Sequence, residues 1–169
     1  MSRPIETDYP AFYKKYIEAI EGKNIEAVID LYSKDINDFF QNLPNEKADY
    51  VYAPNKWTVK DLLQHVIDAE RIFVYRATRF SRKDDTMLPG FEENEYAKNA
   101  VASNRNFDDL KNEFIFLRKS TDAFLLSLSN EQLSCKGNAN GKLITVNAIA
   151  FIIFGHILHH KNILVERYL

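Results

Sequence analysis

Apolar residues recur along most of this chain at spacings of three and four, the signature of helices that bury one face. Asp8 offers a cap for a first helix, with Pro10 in its opening turn and Gly22 near its stop. The apolar face of that helix is Phe12, Tyr16, Ile17 and Ile20. Asn24 can cap the next segment, whose stripe is Val28, Ile29, Tyr32, Ile36, Phe39, Phe40 and Leu43, closed by Pro44. Thr58 with Asp61 three residues on resembles a capping box. Leu62, Val66, Ala69, Phe73, Ala77 and Phe80 then carry a helix to about Arg82. Pro89-Gly90 marks a turn, and a short helix is expected over Glu92 to Ala102. Near Asp108 a further long helix starts, with Leu110, Phe114, Leu117, Thr121, Phe124 and Leu128 as its stripe. Asn138-Ala139-Asn140-Gly141 reads as a turn. Thr145 can cap a last helix running to the C-terminus. Its stripe holds Ile149, Ile152 or Ile153, His156, His160, Ile163 or Leu164, and Arg167.

Four long amphipathic segments and no convincing alternating strand predict an all-α protein, a helical bundle. With 169 residues the chain fits one domain, taken as residues 1–169. The formal charge of −2 leaves no basic excess for a phosphate backbone, so nucleic acid is not an expected partner. The longest apolar run, Ala148 to Phe154, is far short of the roughly 20 residues of a membrane helix. The N-terminus lacks the apolar segment of a signal peptide, so a cytoplasmic protein without a membrane partner is expected. Cys135 is the only cysteine and reads as an incidental reduced thiol.

The candidate chemistry lies in four histidines. His156, His159 and His160 crowd one segment of the last helix, and His65 sits near the apolar stripe of the helix after Thr58. His156 and His160, four apart, share one face and can bind one metal ion. His156 with His159, three apart, is also permitted, but His159 points about 100° from His160. A third imidazole from a facing helix would complete a three-histidine site with a position open to water or substrate. Three imidazoles with few acids favour zinc, nickel, copper or iron over magnesium or calcium. The alternative is that each imidazole simply hydrogen-bonds a neighbour. Gly155 beside His156 would let another backbone or a ligand approach closely.

Several short motifs resemble, in order and spacing, those of the DinB-like (YfiT-like) metalloenzyme superfamily. They are Lys56-Trp57-Thr58-Val59 with His65; Asp68 through Phe73 with Arg76; and Leu88-Pro89-Gly90-Phe91-Glu92-Glu93. Leu117-Arg118, Ala139-Asn140-Gly141, Gly155-His156 through His159-His160, and Glu166 to Leu169 complete the set. The match runs from about Tyr13 to Leu169, and Ile157 departs from the polar residue usual there. The resemblance implies an up-down-down-up four-helix bundle, often a homodimer. It also implies one divalent metal, nickel or zinc, held by His65, His156 and His160. Thiol-dependent members include bacillithiol transferases and mycothiol-dependent maleylpyruvate isomerase.

A metal-dependent transferase or hydrolase acting on a small molecule, with a low-molecular-weight thiol as one candidate partner, is the reading this supports. No residue stands out as its general base or acid. The alternative is a non-catalytic, metal-stabilised dimerisation or binding module. Asp61 and Asp68 lie one turn to either side of His65 and could orient its ring. Glu70, Arg71, Arg76 and Arg118 form either an arginine cluster for an anionic substrate or interhelical ion pairs, with ion pairs favoured. Trp57 reads as a packing lid, and Arg167 and Tyr168 could close a pocket or cap the core.

Overall fold

The computed structural model describes residues 1–169. Four long helices form the bundle: α2 (Ile25–Gln41), α3 (Val59–Ser81), α5 (Phe107–Leu126) and α7 (Val146–Arg167). Three short ones accompany them: α1 (Lys14–Glu18), α4 (Glu93–Ala100) and α6 (Asn130–Ser134). Each long helix packs on two others, giving the cyclic order α2, α5, α3, α7. The directions follow from contacts at the ends. Lys111 near the start of α5 donates to the carbonyl of Leu43 just past the end of α2, so these two are antiparallel. The Gln64–Arg105 hydrogen bond joins the beginnings of α3 and α5, so these two are parallel. Tyr168 at the end of α7 donates to Trp57 at the start of α3, so these two are antiparallel. The topology is therefore up-down-down-up, as expected.

The caps explain where three of these helices begin. Asn24, Thr58 and Thr145 accept from the backbone N–H of Ala27, Asp61 and Ala148, and Asp61 returns the bond to Thr58 N–H. The start of the chain differs from expectation. Asp8 accepts from Ile5 N–H within a 3₁₀ turn, and Pro10 and Tyr13 lead into a first helix of only five residues. Phe12 is exposed, and Ile17 and Ile20 carry the packing. The expected helix after Pro89-Gly90 is present as α4, followed by a 3₁₀ turn at Ala102–Asn104.

One short hairpin, not expected from the sequence, accompanies the all-α bundle. β1 (Lys136–Ala139) and β2 (Lys142–Thr145) pair antiparallel, with Ala139 opposite Lys142. Asn140 and Gly141 both have positive φ, the backbone of a two-residue hairpin turn that Asn-Gly adopts readily. The turn was legible; the strands were not, because Gly137 and Asn138 are poor strand formers. Their register comes from packing: a β-carbon on Gly137 would lie 2.1 Å from Phe80.

The last helix also departs from a one-sided stripe. Every residue from Val146 to Ile157 is buried, against α1, α2, α3 and the hairpin. By length and composition α7 could cross a bilayer, but 67% of its apolar window is buried inside this fold. Gly155 lets α1 approach, because a β-carbon there would sit 2.2 Å from the Tyr16 carbonyl oxygen. Gly155→Ala gains helix propensity of about 1 kcal/mol but forces backbone apart. A net loss of about 1–3 kcal/mol is expected in chemical denaturation, and unchanged stability would show that α1 moves freely.

Candidate metal centre

α3 and α7 carry the site between them. His65 lies two turns into α3 and His156 three turns into α7. Antiparallel packing brings these residues together although 91 positions separate them. His65 Nε2 and His160 Nε2 each lie 3.1 Å from His156 Nε2, and one ring nitrogen of each residue lies within 4.8 Å of the others. All three side chains are buried. The i, i+4 pair on α7 is thus the one that meets His65. His159 stays outside the group, half-buried and edge-on to the Tyr16 ring.

Burial drives the electrostatics. It lowers the pKa of His65 to about 4 and that of His160 to about 3, with neighbouring imidazoles adding to the effect. Burial, then His160 and His65, takes His156 well below the ordinary value. At neutral pH all three rings are uncharged. A neutral imidazole has one N–H and one lone pair, so a single Nε2 is either donor or acceptor. His156 Nε2 cannot make good hydrogen bonds to two neighbouring Nε2 atoms at once. Three lone pairs converging on one cation satisfy all three together. Ligands 2.0–2.1 Å from a tetrahedral ion sit about 3.4 Å apart, close to the spacing observed here. The donor set therefore fits a divalent ion.

The surroundings are apolar on one side and open on the other. Trp57 stacks obliquely on His65 at 4.8 Å, and the rings of Tyr16 and Phe73 stand edge-on to His156 at 5.8 and 6.0 Å. His160 contributes to the wall of a cavity of about 240 Å³, together with Tyr52, Lys56, Trp57, Asn94 and Tyr168. Trp57 and Tyr168 thus frame the opening as well as packing, and Arg167 holds Tyr52 through its hydroxyl. Tyr52 comes from the loop between α2 and α3 and Asn94 from the first turn of α4, and neither lies on an apolar stripe, so the sequence offered no cue for them.

The expected carboxylate partners of His65 are engaged elsewhere. Asp61 caps α3, and Asp68 accepts from Gln64 and faces Arg71 at 3.9 Å. His160 Nδ1 is buried without a hydrogen-bond partner. The charged set divides as ion pairing predicts, with one exception. Arg118 bonds Glu70 at 2.8 Å and Asp122, and Arg71 bonds Glu113 at 2.7 Å. Arg76 pairs with no carboxylate.

A family model described as the DinB superfamily matches residues 30–164. The chain belongs to the DinB superfamily. Among solved structures, this DinB chain is similar to YfiT from Bacillus subtilis, described as a probable metal-dependent hydrolase with an unusual four-helix bundle topology. The TM-score is 0.70 at 15% identity, over 96% of this chain and 89% of YfiT. That likeness shows the shared DinB bundle. No curated protein matches the chain significantly.

Proposed function

We propose that this protein is a metal-dependent hydrolase acting on a small molecule, with His65, His156 and His160 as the ligands of one zinc or nickel ion. The observation that carries the reading is the convergence of three neutral, buried Nε2 atoms beside a cavity of about 240 Å³. When bound, such an ion supplies Lewis acidity, lowering the pKa of water to about 7 and equally favouring the deprotonated form of a thiol. The chain's own residues do the rest. His65 and His156 are locked by Trp57, Tyr16 and Phe73, so the donors are held in place before substrate arrives. Trp57 and Tyr168 give the cavity apolar walls that exclude bulk water. Lys56 and Asn94 offer hydrogen-bond donors to a polar substrate group.

A second reading, thiol transfer, is favoured by the cavity lining, which contains Lys56 and no carboxylate. A thiol acidified at the centre needs no carboxylate base, and the cation of Lys56 suits a thiol cosubstrate bearing acidic groups.

Untagged protein purified without chelators is expected to hold about one zinc or nickel per chain by elemental mass spectrometry, lost in His65→Ala and His160→Ala. Protein stripped and reloaded with each metal is then assayed on small aryl esters and amides, and on a low-molecular-weight thiol with an electrophilic acceptor. Metal-dependent ester or amide cleavage supports hydrolysis. Metal-dependent thiol consumption without cleavage favours the transferase. Metal that raises the melting temperature while neither substrate turns over leaves a non-catalytic module. Failure to take up either metal overturns the metal centre itself.

A further inference from the structure

A second cavity, of about 140 Å³, lies along α3 from the histidines, and the ring of Phe73 stands between it and His156. Its walls mix apolar and polar groups, with Tyr13, Phe73, Phe91 and Ile149 among the former and Glu93 and Asn140 among the latter. At its side lies Arg76, only 6% exposed. A guanidinium is always charged, and buried charges are ordinarily paired. Arg118, fully buried, obeys that rule with two carboxylates. Arg76 has none within 4.0 Å, and its one hydrogen bond runs from Nη2 to the carbonyl oxygen of Pro89 at 2.9 Å. Apart from the neighbouring Tyr13 hydroxyl, its remaining N–H groups meet no acceptor in the fold, and none is a fully buried atom left without a partner. Tyr13 is adjacent: burial raises the pKa of its phenol while the Arg76 charge pulls it back.

We propose that this cavity is a binding site for a small, apolar monocarboxylate, with Arg76 as the partner of its anionic end. The carboxylate would take the free fork of the guanidinium, where two parallel N–H···O bonds form. The apolar remainder of the ligand would lie among the rings of Tyr13, Phe73 and Phe91. Glu93, exposed in the wall of the same cavity, disfavours a second negative charge and so selects against dianions. This site does not depend on the three-histidine centre, because none of its residues is a candidate ligand.

Benzoate is the probe, with benzamide as its uncharged counterpart and phthalate as the dianion. Titrations of the metal-loaded protein are followed by calorimetry and by the Arg76 Nε–H resonance. Benzoate is expected to bind and to shift that resonance, at least about tenfold more tightly than benzamide or phthalate, the loss expected when a charge-assisted pair is missing. Arg76→Met should abolish benzoate binding while the metal content stays at the wild-type level, which separates this site from a carboxylate bound at the histidines. Glu93→Gln should narrow the gap between phthalate and benzoate. The proposal is overturned if benzoate does not bind wild-type protein, if benzamide binds equally well, or if the Arg76 resonance is unmoved. Should Arg76→Met not fold, the ligand comparison on wild-type protein and the Glu93→Gln result still decide.

Discussion

Arg118→Met is expected to destabilise the fold by about 3–5 kcal/mol, the cost of leaving one member of a buried ion pair alone. Arg118 is 0% exposed and Glu70 1%. The guanidinium also lies 4.6 Å above the Phe154 ring, so it ties α5 to α3 and α7 together. Without it, the Glu70 carboxyl, which burial already pushes upward, must take up a proton or remain charged in an apolar interior. Glu70 Oε2 and Arg118 Nε already lack partners, so the pair is incompletely satisfied in the native fold. Replacing both partners should therefore cost much less than the sum of the single changes. Urea denaturation of the two single variants and of Glu70→Leu with Arg118→Met closes this cycle. Additive losses would show that the two residues do not act as a pair.

Acidification of the metal-free protein should have an effect of comparable size. The folded pKa values of His65 and His160 lie at about 4 and about 3, and His156 shifts the same way. An unfolded histidine titrates near about 6.5. Between those values the unfolded chain binds protons that the folded chain refuses, so stability falls as pH falls. The contribution is complete above about pH 6.5 and drops by about 1.4 kcal/mol per histidine for each pH unit below it. It is gone once pH has passed through the folded values. Protons compete with metal for the folded rings only near those folded values, so bound metal should persist through the window and oppose the loss of stability. Thermal denaturation between neutral pH and about pH 4 reads both effects, with and without zinc. In the His65→Ala, His160→Ala double variant the slope should shrink. An unchanged slope would place the acid sensitivity elsewhere.

How much of this was legible depends on the range of the forces involved. Three helix starts were readable because a capping side chain acts within three residues of itself, as at Asn24, Thr58 and Thr145. The four long helices were readable from their stripes. The strands around Asn140-Gly141 were not, since a pairing anchored by Gly137 against Phe80 leaves no local propensity to detect. Nor was the full burial of α7, because small residues such as Ala148, Ala150 and Gly155 admit neighbours on every side. Arg71, Arg76 and Arg118 looked alike in the sequence. Only the fold pairs two of them with carboxylates and leaves the third beside a cavity.

By itself the sequence determined the helical bundle and the placing of His156 and His160 on one face, because helix geometry follows from hydrogen bonds four residues apart. Tertiary structure alone brought His65 to that pair, left His159 out and set Trp57 over the site. The contacts between α3 and α7 span 91 residues of chain at His65 and His156, and no local bond encodes them. They arise when α3 and α7 bury their apolar faces against each other, and the same burial keeps the three imidazoles neutral.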